Sequence, residues 1–264
     1  MKNIYFTRHG ERQDWVDPNW VKTAARKYDT PLSEGGMKQA KELGQYFCTL
    51  EKESQISVIY CSPFFRTVQT ATNIANEINA KNGSSACKIK VEAGLSEFYQ
   101  DTIKPWNNET LPISVKDLLT NDNKKTLNEE IIDQNYQSLY QPSYFLGLGV
   151  ETRSQLRMRL KHTIKHILEN SNHENVLVVT HAASLIEGVR AMTIISRECS
   201  GQVTKEEAEF ESSEWSSIQV KTGVCSLTHF ELKDTWGMNY TGMTNYLSGG
   251  EKNAWYFPDD PIFE

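Results

Sequence analysis

Four short strand-like runs, three of them apolar, each stopping at a polar turn and separated by segments of helical period, constrain this chain more than any other feature of its sequence. Residues 3–7 (Asn-Ile-Tyr-Phe-Thr) run into Arg8-His9-Gly10, residues 56–60 (Ile-Ser-Val-Ile-Tyr) into Cys61-Ser62-Pro63, residues 88–91 into Gly94-Leu95-Ser96-Glu97, and residues 176–179 (Val-Leu-Val-Val) into Thr180-His181. Apolar runs this short, bounded by turn residues, read as buried strands. Between them Met37, Ala40, Leu43, Phe47 and Leu50 recur at three and four residues, behind Pro31-Leu32-Ser33 with Ser33 as N-cap. The same spacing links Val68, Ala71, Ile74, Ala75 and Ile78, and then Leu156, Leu160, Ile164 and Ile167 within residues 153–169. Each set makes one apolar helix face. Another helix begins near Ala183, and residues 224–230 alternate like a further strand. Strands alternating with helices predict an α/β fold in three layers, a mostly parallel sheet with helices on both faces.

Residues 100–150 break this rhythm. They are polar in the middle (Asn121-Asp122-Asn123-Lys124-Lys125) and carry Trp106, Tyr136, Tyr140, Tyr144 and Phe145. A connection of that length is an insertion with its own role. We expect it to pack over the edge of the sheet as a lid within a single domain spanning 1–264. Residues 199–216, rich in Ser and Glu, read as an exposed mobile loop, and the tail from Tyr246 is aromatic but irregular. There are no internal repeats.

The formal net charge of -6 gives no global positive field for nucleic acid or anionic lipid, so direct nucleic-acid binding and membrane association are not expected. A local arginine cluster is another matter, because contact charges near a surface outweigh distant screened ones. The five cysteines (Cys48, Cys61, Cys87, Cys199, Cys225) lack any C-x-x-C pair, which argues against a disulfide framework or a thiolate zinc site. The N-terminus has no apolar signal core and no stretch has the length of a membrane span. The expectation is an intracellular protein, cytoplasmic or nuclear.

In a parallel α/β sheet, ligands gather beyond the carboxyl ends of the strands. Those ends supply Arg8 and His9, then Arg66, then Glu97, then His181, with Arg12 one loop step from His9. Two imidazoles, three guanidiniums and one carboxylate on one pocket rim suit phosphoryl transfer, which depends on positioning and on neutralising the equatorial oxygens. Guanidinium forks bind phosphate oxygens in pairs. A neutral imidazole attacks without a separate base. One carboxylate can protonate the leaving oxygen and later take a proton from water. No metal or other cofactor is required. Taken singly, an Arg-His-Gly tripeptide is commonplace, Arg66 reads as an exposed helix residue, Glu97 as a loop acid and His181 as a buried, satisfied histidine; their shared placement at strand ends is the specific signal. His162 and His166, four apart on a helix with no third ligand nearby, read as solvated surface, and His173 and His229 have no evident partner. Cys61-Ser62-Pro63-Phe64-Phe65-Arg66 is not a cysteine phosphate loop, since its arginine is one residue too close and no glycine lets the backbone wrap an anion.

The segments Phe6-Thr7-Arg8-His9-Gly10-Glu11-Arg12, Pro31 to Ala40, Tyr60 to Ala71 and Val179-Thr180-His181-Ala182 resemble, in order, the motifs of the histidine phosphatase superfamily over roughly residues 1–195. The resemblance implies the phosphoglycerate mutase-like fold. It implies Arg8, His9, Arg66 and His181 as the phosphate pocket, His9 as nucleophile and Glu97 as proton donor. Arg-His-Gly-Glu-Arg, with Arg12 lining the pocket, is similar to the phosphatase branch that suppresses T-cell receptor signalling. The Glu-Ser/Thr-x-Trp-Asn continuation of the cofactor-dependent mutases is absent, so a phosphatase is implied, acting on a phosphorylated small molecule or a phosphoprotein. Residues 223–227, 245–251, Asn253 and Trp255 resemble a phosphatase-like subunit of a fungal RNA polymerase III initiation factor and its stand-alone paralogue, implying transcription-factor complex partners as an alternative. Ending at Glu264, the chain is expected to be the stand-alone form.

Overall fold

The structure, a computed structural model, describes residues 1–83, 86–99, 118–119, 126–141, 145, 150–204 and 216–260. Six strands, β1 (Asn3–Arg8), β2 (Val58–Cys61), β3 (Lys88–Val91), β4 (Asn175–Thr180), β5 (Leu227–Leu232) and β6 (Trp236–Met243), form one sheet in the order β3-β2-β4-β1-β5-β6. The first four are parallel, and β5 and β6 add on antiparallel beside β1. The mostly parallel sheet expected from the alternation is therefore present. The strand expected at 224–230 begins three residues later, and β6 was not legible, since Trp-Gly-Met-Asn-Tyr-Thr-Gly-Met carries two glycines and no buried face.

The helices are α1 (Gln13–Val16), α2 (Trp20–Thr23), α3 (Glu34–Thr49), α4 (Phe65–Asn82), α5 (Arg153–Asn170) and α6 (Ala182–Cys199). Successive strand residues point to opposite faces, and the core divides accordingly. Tyr5, Ile59, Leu177 and Val179 pack with Leu43 and Phe47 of α3 and Val68 and Ile74 of α4. Ile4, Phe6, Val58, Tyr60, Val176 and Val178 pack with Leu156, Leu160 and Ile164 of α5 and Leu185 and Val189 of α6. That is the expected three-layer arrangement, each fully buried aliphatic or Phe side chain contributing about 1.5–3 kcal/mol. Ser33 caps α3 by accepting from the Gly36 amide at 3.0 Å, and Thr152 with Gln155 forms a capping box at the start of α5.

Within residues 100–150, the Asp133 amide donates to Ile89 O at 2.8 Å and Ile132 bridges Ile89 in parallel register. Leu118, Leu127, Ile131 and Ile132 are buried against β3, so this part covers the sheet's edge. Residues 100–117, 120–125, 142–144 and 146–149, where the lid was expected, lie outside the described residues, as do 205–215 of the loop expected at 199–216. Among the described helices, none is long and apolar enough to cross a membrane.

At the opposite end of the sheet from the pocket, His229 stacks on Tyr5 with ring centroids 4.2 Å apart. Its Nε2 donates to Asn3 Oδ1 at 2.8 Å, and Asn3 Nδ2 donates to Asn175 Oδ1. Burial pulls the His229 imidazole down to about 4. The unfolded chain takes up this proton below about pH 6.5, whereas the folded chain does not until about pH 4. Stability is therefore full above pH 6.5 and falls as the pH drops toward 4, by on the order of 2 kcal/mol after allowance for screening. His229→Gln is expected to flatten this part of the melting temperature–pH curve, and an unchanged slope refutes the assignment.

Candidate active site

Parallel pairing brings the carboxyl ends of β1, β2 and β4 to one edge, with Arg8 opposite Thr180 and Cys61 opposite Val179. His9, Ser62 and His181 follow immediately. The His9 amide donates to Thr180 O at 3.0 Å and the Ser62 amide to Val179 O at 3.1 Å. Gly10 and Gly36 touch here. A Cβ on Gly10 would sit 2.5 Å from Gly36 O, so only glycine lets the His9 loop lie this close to the start of α3.

His9 is 1% exposed, and its Nδ1 lies 2.7 Å from Gly10 O. A carbonyl only accepts, so Nδ1 carries the hydrogen and Nε2 keeps its lone pair. His181, fully buried, receives a hydrogen bond at Nδ1 from Arg66 Nη2 at 3.0 Å, so its own N–H is on Nε2 and donates to Ser62 Oγ at 2.8 Å. The two imidazole centroids are 5.4 Å apart. Burial first, and then the Arg66 charge, hold both rings well below the usual histidine range. Both are neutral near pH 7.

Arg8 Nη1 donates to Thr222 O at 2.9 Å and to Asn253 O at 2.5 Å. Arg66, in the first turn of α4, also donates to Tyr28 O at 3.4 Å and lies over Phe64 at 4.7 Å. Burial pulls both guanidiniums down to about 10, with repulsion from Arg12 adding to it. The Nε donors of Arg8 and of Arg66 are buried and have no hydrogen-bond partner among the described residues. An unmade bond at a buried charged donor costs about 1–3 kcal/mol or more, so each of these two donors stands to gain from an acceptor brought by a ligand. Arg12 forks onto Asp14, with Nε 2.9 Å from Oδ1, and Arg8 and Arg12 lie 5.3 and 5.1 Å from the Trp15 ring centroid.

Glu97 follows a 3₁₀ turn (Ala93–Leu95) beyond β3. Its Oε2 is 3.5 Å from Arg66 Nη2 and 3.4 Å from His181 Nδ1. The loop is fixed from beneath by Arg159 of α5, which donates to Gly94 O, Ser96 O and Glu97 O at 2.8, 3.0 and 3.2 Å. The same guanidinium forks onto Glu151 at 2.8 and 2.7 Å, and both side chains of this pair are fully buried.

The structure thus brings all six residues singled out by sequence, Arg8, His9, Arg12, Arg66, Glu97 and His181, to one place. Among the described residues, a cavity of about 220 Å³ is lined by Arg8, Arg12, Trp15, Glu97, Phe98, Ala182, Ala183 and Trp255. Trp15, Phe98, Trp255, Ser62, Asp14 and Arg159 were not anticipated; no local pattern marks them, because each reaches the site through tertiary packing. The aromatics of the insertion lie elsewhere. Tyr136 packs on Tyr60, and Tyr140 and Phe145 join Phe64 and Tyr99 in a small core, while Trp106 and Tyr144 lie outside the described residues. Cys61 is buried and its thiol is pushed far up by desolvation, which leaves it unreactive. His162 lies 3.4 Å from the Tyr140 hydroxyl, His166 pairs with Asn170, and His173 with Ser57. Among the described residues no cluster of three side chains could hold a metal ion.

Comparison with known proteins adds three findings. The sequence profile described as histidine phosphatase superfamily (branch 1) matches residues 4–193. The transcription factor tau 55 kDa subunit of Saccharomyces cerevisiae is 26% identical over 97% of this chain, and the ecdysteroid-phosphate phosphatase of Drosophila melanogaster is 30% identical over 73% of it. The alignments cover 59% and 27% of those two longer proteins. The crystal structure of an ecdysone phosphate phosphatase from Bombix mori, in complex with tungstate, superposes with a TM-score of 0.63 at 20% identity over 98% of both chains.

Proposed function

Given that the chain belongs to the histidine phosphatase superfamily, we propose that it is a metal-independent phosphomonoesterase working through a phosphohistidine on His9. The observation that carries this reading is the neutral His9, its Nδ1–H tied to Gly10 O, beside two buried guanidinium Nε donors with no partner among the described residues. The Nε2 lone pair attacks phosphorus and the ester P–O bond breaks. The positive charge that develops on the ring is shared through Nδ1–H with the Gly10 carbonyl. Arg8, Arg12 and Arg66 take the equatorial oxygens. His181 stays neutral, its Nδ1 accepting from Arg66 Nη2 and its Nε2–H on Ser62, and so holds Arg66 in place beside the reacting group. Glu97 gives its proton to the departing oxygen, then takes one from the water that cleaves the N–P bond, and His9 returns to its neutral form. Trp15, Phe98 and Trp255 at the rim suit an apolar organic group, on a small molecule or a phosphoprotein.

Labelling with a ³²P-phosphomonoester, quenched in alkali, tests the intermediate. Alkali-stable, acid-labile label should sit on the peptide containing His9, and label absent or found elsewhere removes the mechanism. Glu97→Gln should slow an alkyl phosphate by roughly 10²–10⁴-fold and an aryl phosphate with a good leaving group far less; equal losses remove Glu97 as the acid.

A second reading rests on the similarity to the tau subunit across 97% of the chain. On it, the domain is a nuclear binding or scaffold module of a polymerase III initiation complex, with the pocket holding a phosphorylated partner. Co-purification with such a complex, together with negligible hydrolysis by wild type, favours it over the enzyme.

A further inference from the structure

Among the described residues two that are not glycine have positive φ, Cys225 (50°) and Asn253 (52°), and both hydrogen-bond Arg8. The Cys225 amide donates to Arg8 O at 3.1 Å, and Asn253 O accepts from Arg8 Nη1 at 2.5 Å. A residue with a Cβ is disfavoured in this region, asparagine less than others. Such conformations persist where their surroundings over-determine them, and they gather at functional sites. Here two of them, 28 positions apart in sequence, are aimed at one arginine.

The partners chosen for that arginine are chemically distinctive. Arg12 is forked onto the Asp14 carboxylate, which cancels much of its charge. Arg8 Nη1 is instead held by two neutral carbonyls, of Thr222 and Asn253. Carbonyl dipoles fix the guanidinium plane and cancel less of its charge than a carboxylate in direct contact would. Because the guanidinium is rigid and planar, fixing Nη1 also fixes the direction of the other donors, including the buried Nε that has no partner. The segment that does this is itself tied together. Val224 N donates to Lys252 O at 3.0 Å, Trp255 N donates to Thr222 Oγ1 at 3.1 Å, and the Thr222 hydroxyl returns a bond to Trp255 O.

We propose that Thr222 and Asn253 are positioning residues for the anion site: their carbonyls, the second set by a left-handed backbone, aim the fork of Arg8 at the phosphoryl group. This rests on the pocket being a phosphate site, as proposed above. It gives the C-terminal segment around Asn253 a role that the order of the catalytic motifs, all upstream of residue 195, does not suggest. The Asn253 side chain is exposed, so what matters at this position is the backbone angle.

The test measures inorganic phosphate binding to the full chain by calorimetry, alongside melting temperature. Glycine adopts positive φ freely, so Asn253→Gly is expected to bind phosphate within about twofold of wild type. Valine is a genuine outlier there, so Asn253→Val is expected to weaken binding by about tenfold or more while still melting cooperatively. In an Arg8→Ala background the same Val substitution should cost nothing further, because its effect runs through Arg8. Should the Val chain not fold, Asn253→Ala replaces it in the same cycle. Equal binding by the Val and wild-type chains, equal losses from Gly and Val, or the same loss with and without Arg8 overturns the proposal. Wild type failing to bind phosphate instead overturns the reading of the pocket, and the proposal with it.

Discussion

A His9→Ala chain is expected to hydrolyse p-nitrophenyl phosphate at least roughly 10³-fold more slowly than wild type, a small part of the ~10⁶-fold or greater acceleration typical of enzymes. The arginines would still bind the ester and neutralise its oxygens. The covalent route would be gone, leaving water to attack without the pre-oriented imidazole. The loss should appear in kcat, with phosphate binding largely kept, because His9 Nε2 makes no bond to phosphorus in the bound ester and begins one only as the transition state forms. EDTA should leave the wild-type rate unchanged, since guanidiniums supply the charge that a divalent ion would. Side-by-side kinetics on a panel of phosphomonoesters decide the matter, and a His9→Ala chain that turns over normally ends the phosphohistidine reading.

Arg159→Met is expected to produce the largest loss of stability, about 3–5 kcal/mol, or a fall in melting temperature of roughly 10 °C. Methionine keeps much of the apolar stem but strands the carboxylate of Glu151, which has no exposed surface. It also removes the donors to three carbonyls at Gly94, Ser96 and Glu97. Adding Glu151→Leu should return much of the stability by removing the stranded charge. It should not return the position of Glu97, so the double variant should melt near wild type yet remain slow on alkyl phosphates. A single variant that melts as wild type shows that the pair is dispensable.

The parts of this fold that were legible in the sequence are those whose signal is local. β3 and the body of α5 were read almost to the residue, because a short alternating run before a turn and a three-to-four repeat admit few alternatives. The six side chains could be grouped from sequence because strand ends of a parallel sheet meet at one edge whatever lies between them. β6 was missed because an exposed antiparallel edge strand with two glycines has no periodicity to read. Trp15 and Trp255 were missed because what makes them part of the pocket is what they pack against. Arg159 looked like any polar position on an amphipathic helix, and only the distant Glu151 and the 94–97 loop reveal why it is buried.

The bond from Arg8 to Asn253 spans 245 residues. At about 5–20 residues per second, a ribosome that has made the first strand needs tens of seconds to make the partner that orients its arginine. β1 waits in the same way for β4, which it pairs from Asn3 opposite Asn175. Through that interval the nascent chain holds two hydrophobic strand edges open, the circumstance in which high contact order invites aggregation. The bond that orients Arg8 therefore cannot form until residue 253 has been made, long after the strand that carries the arginine.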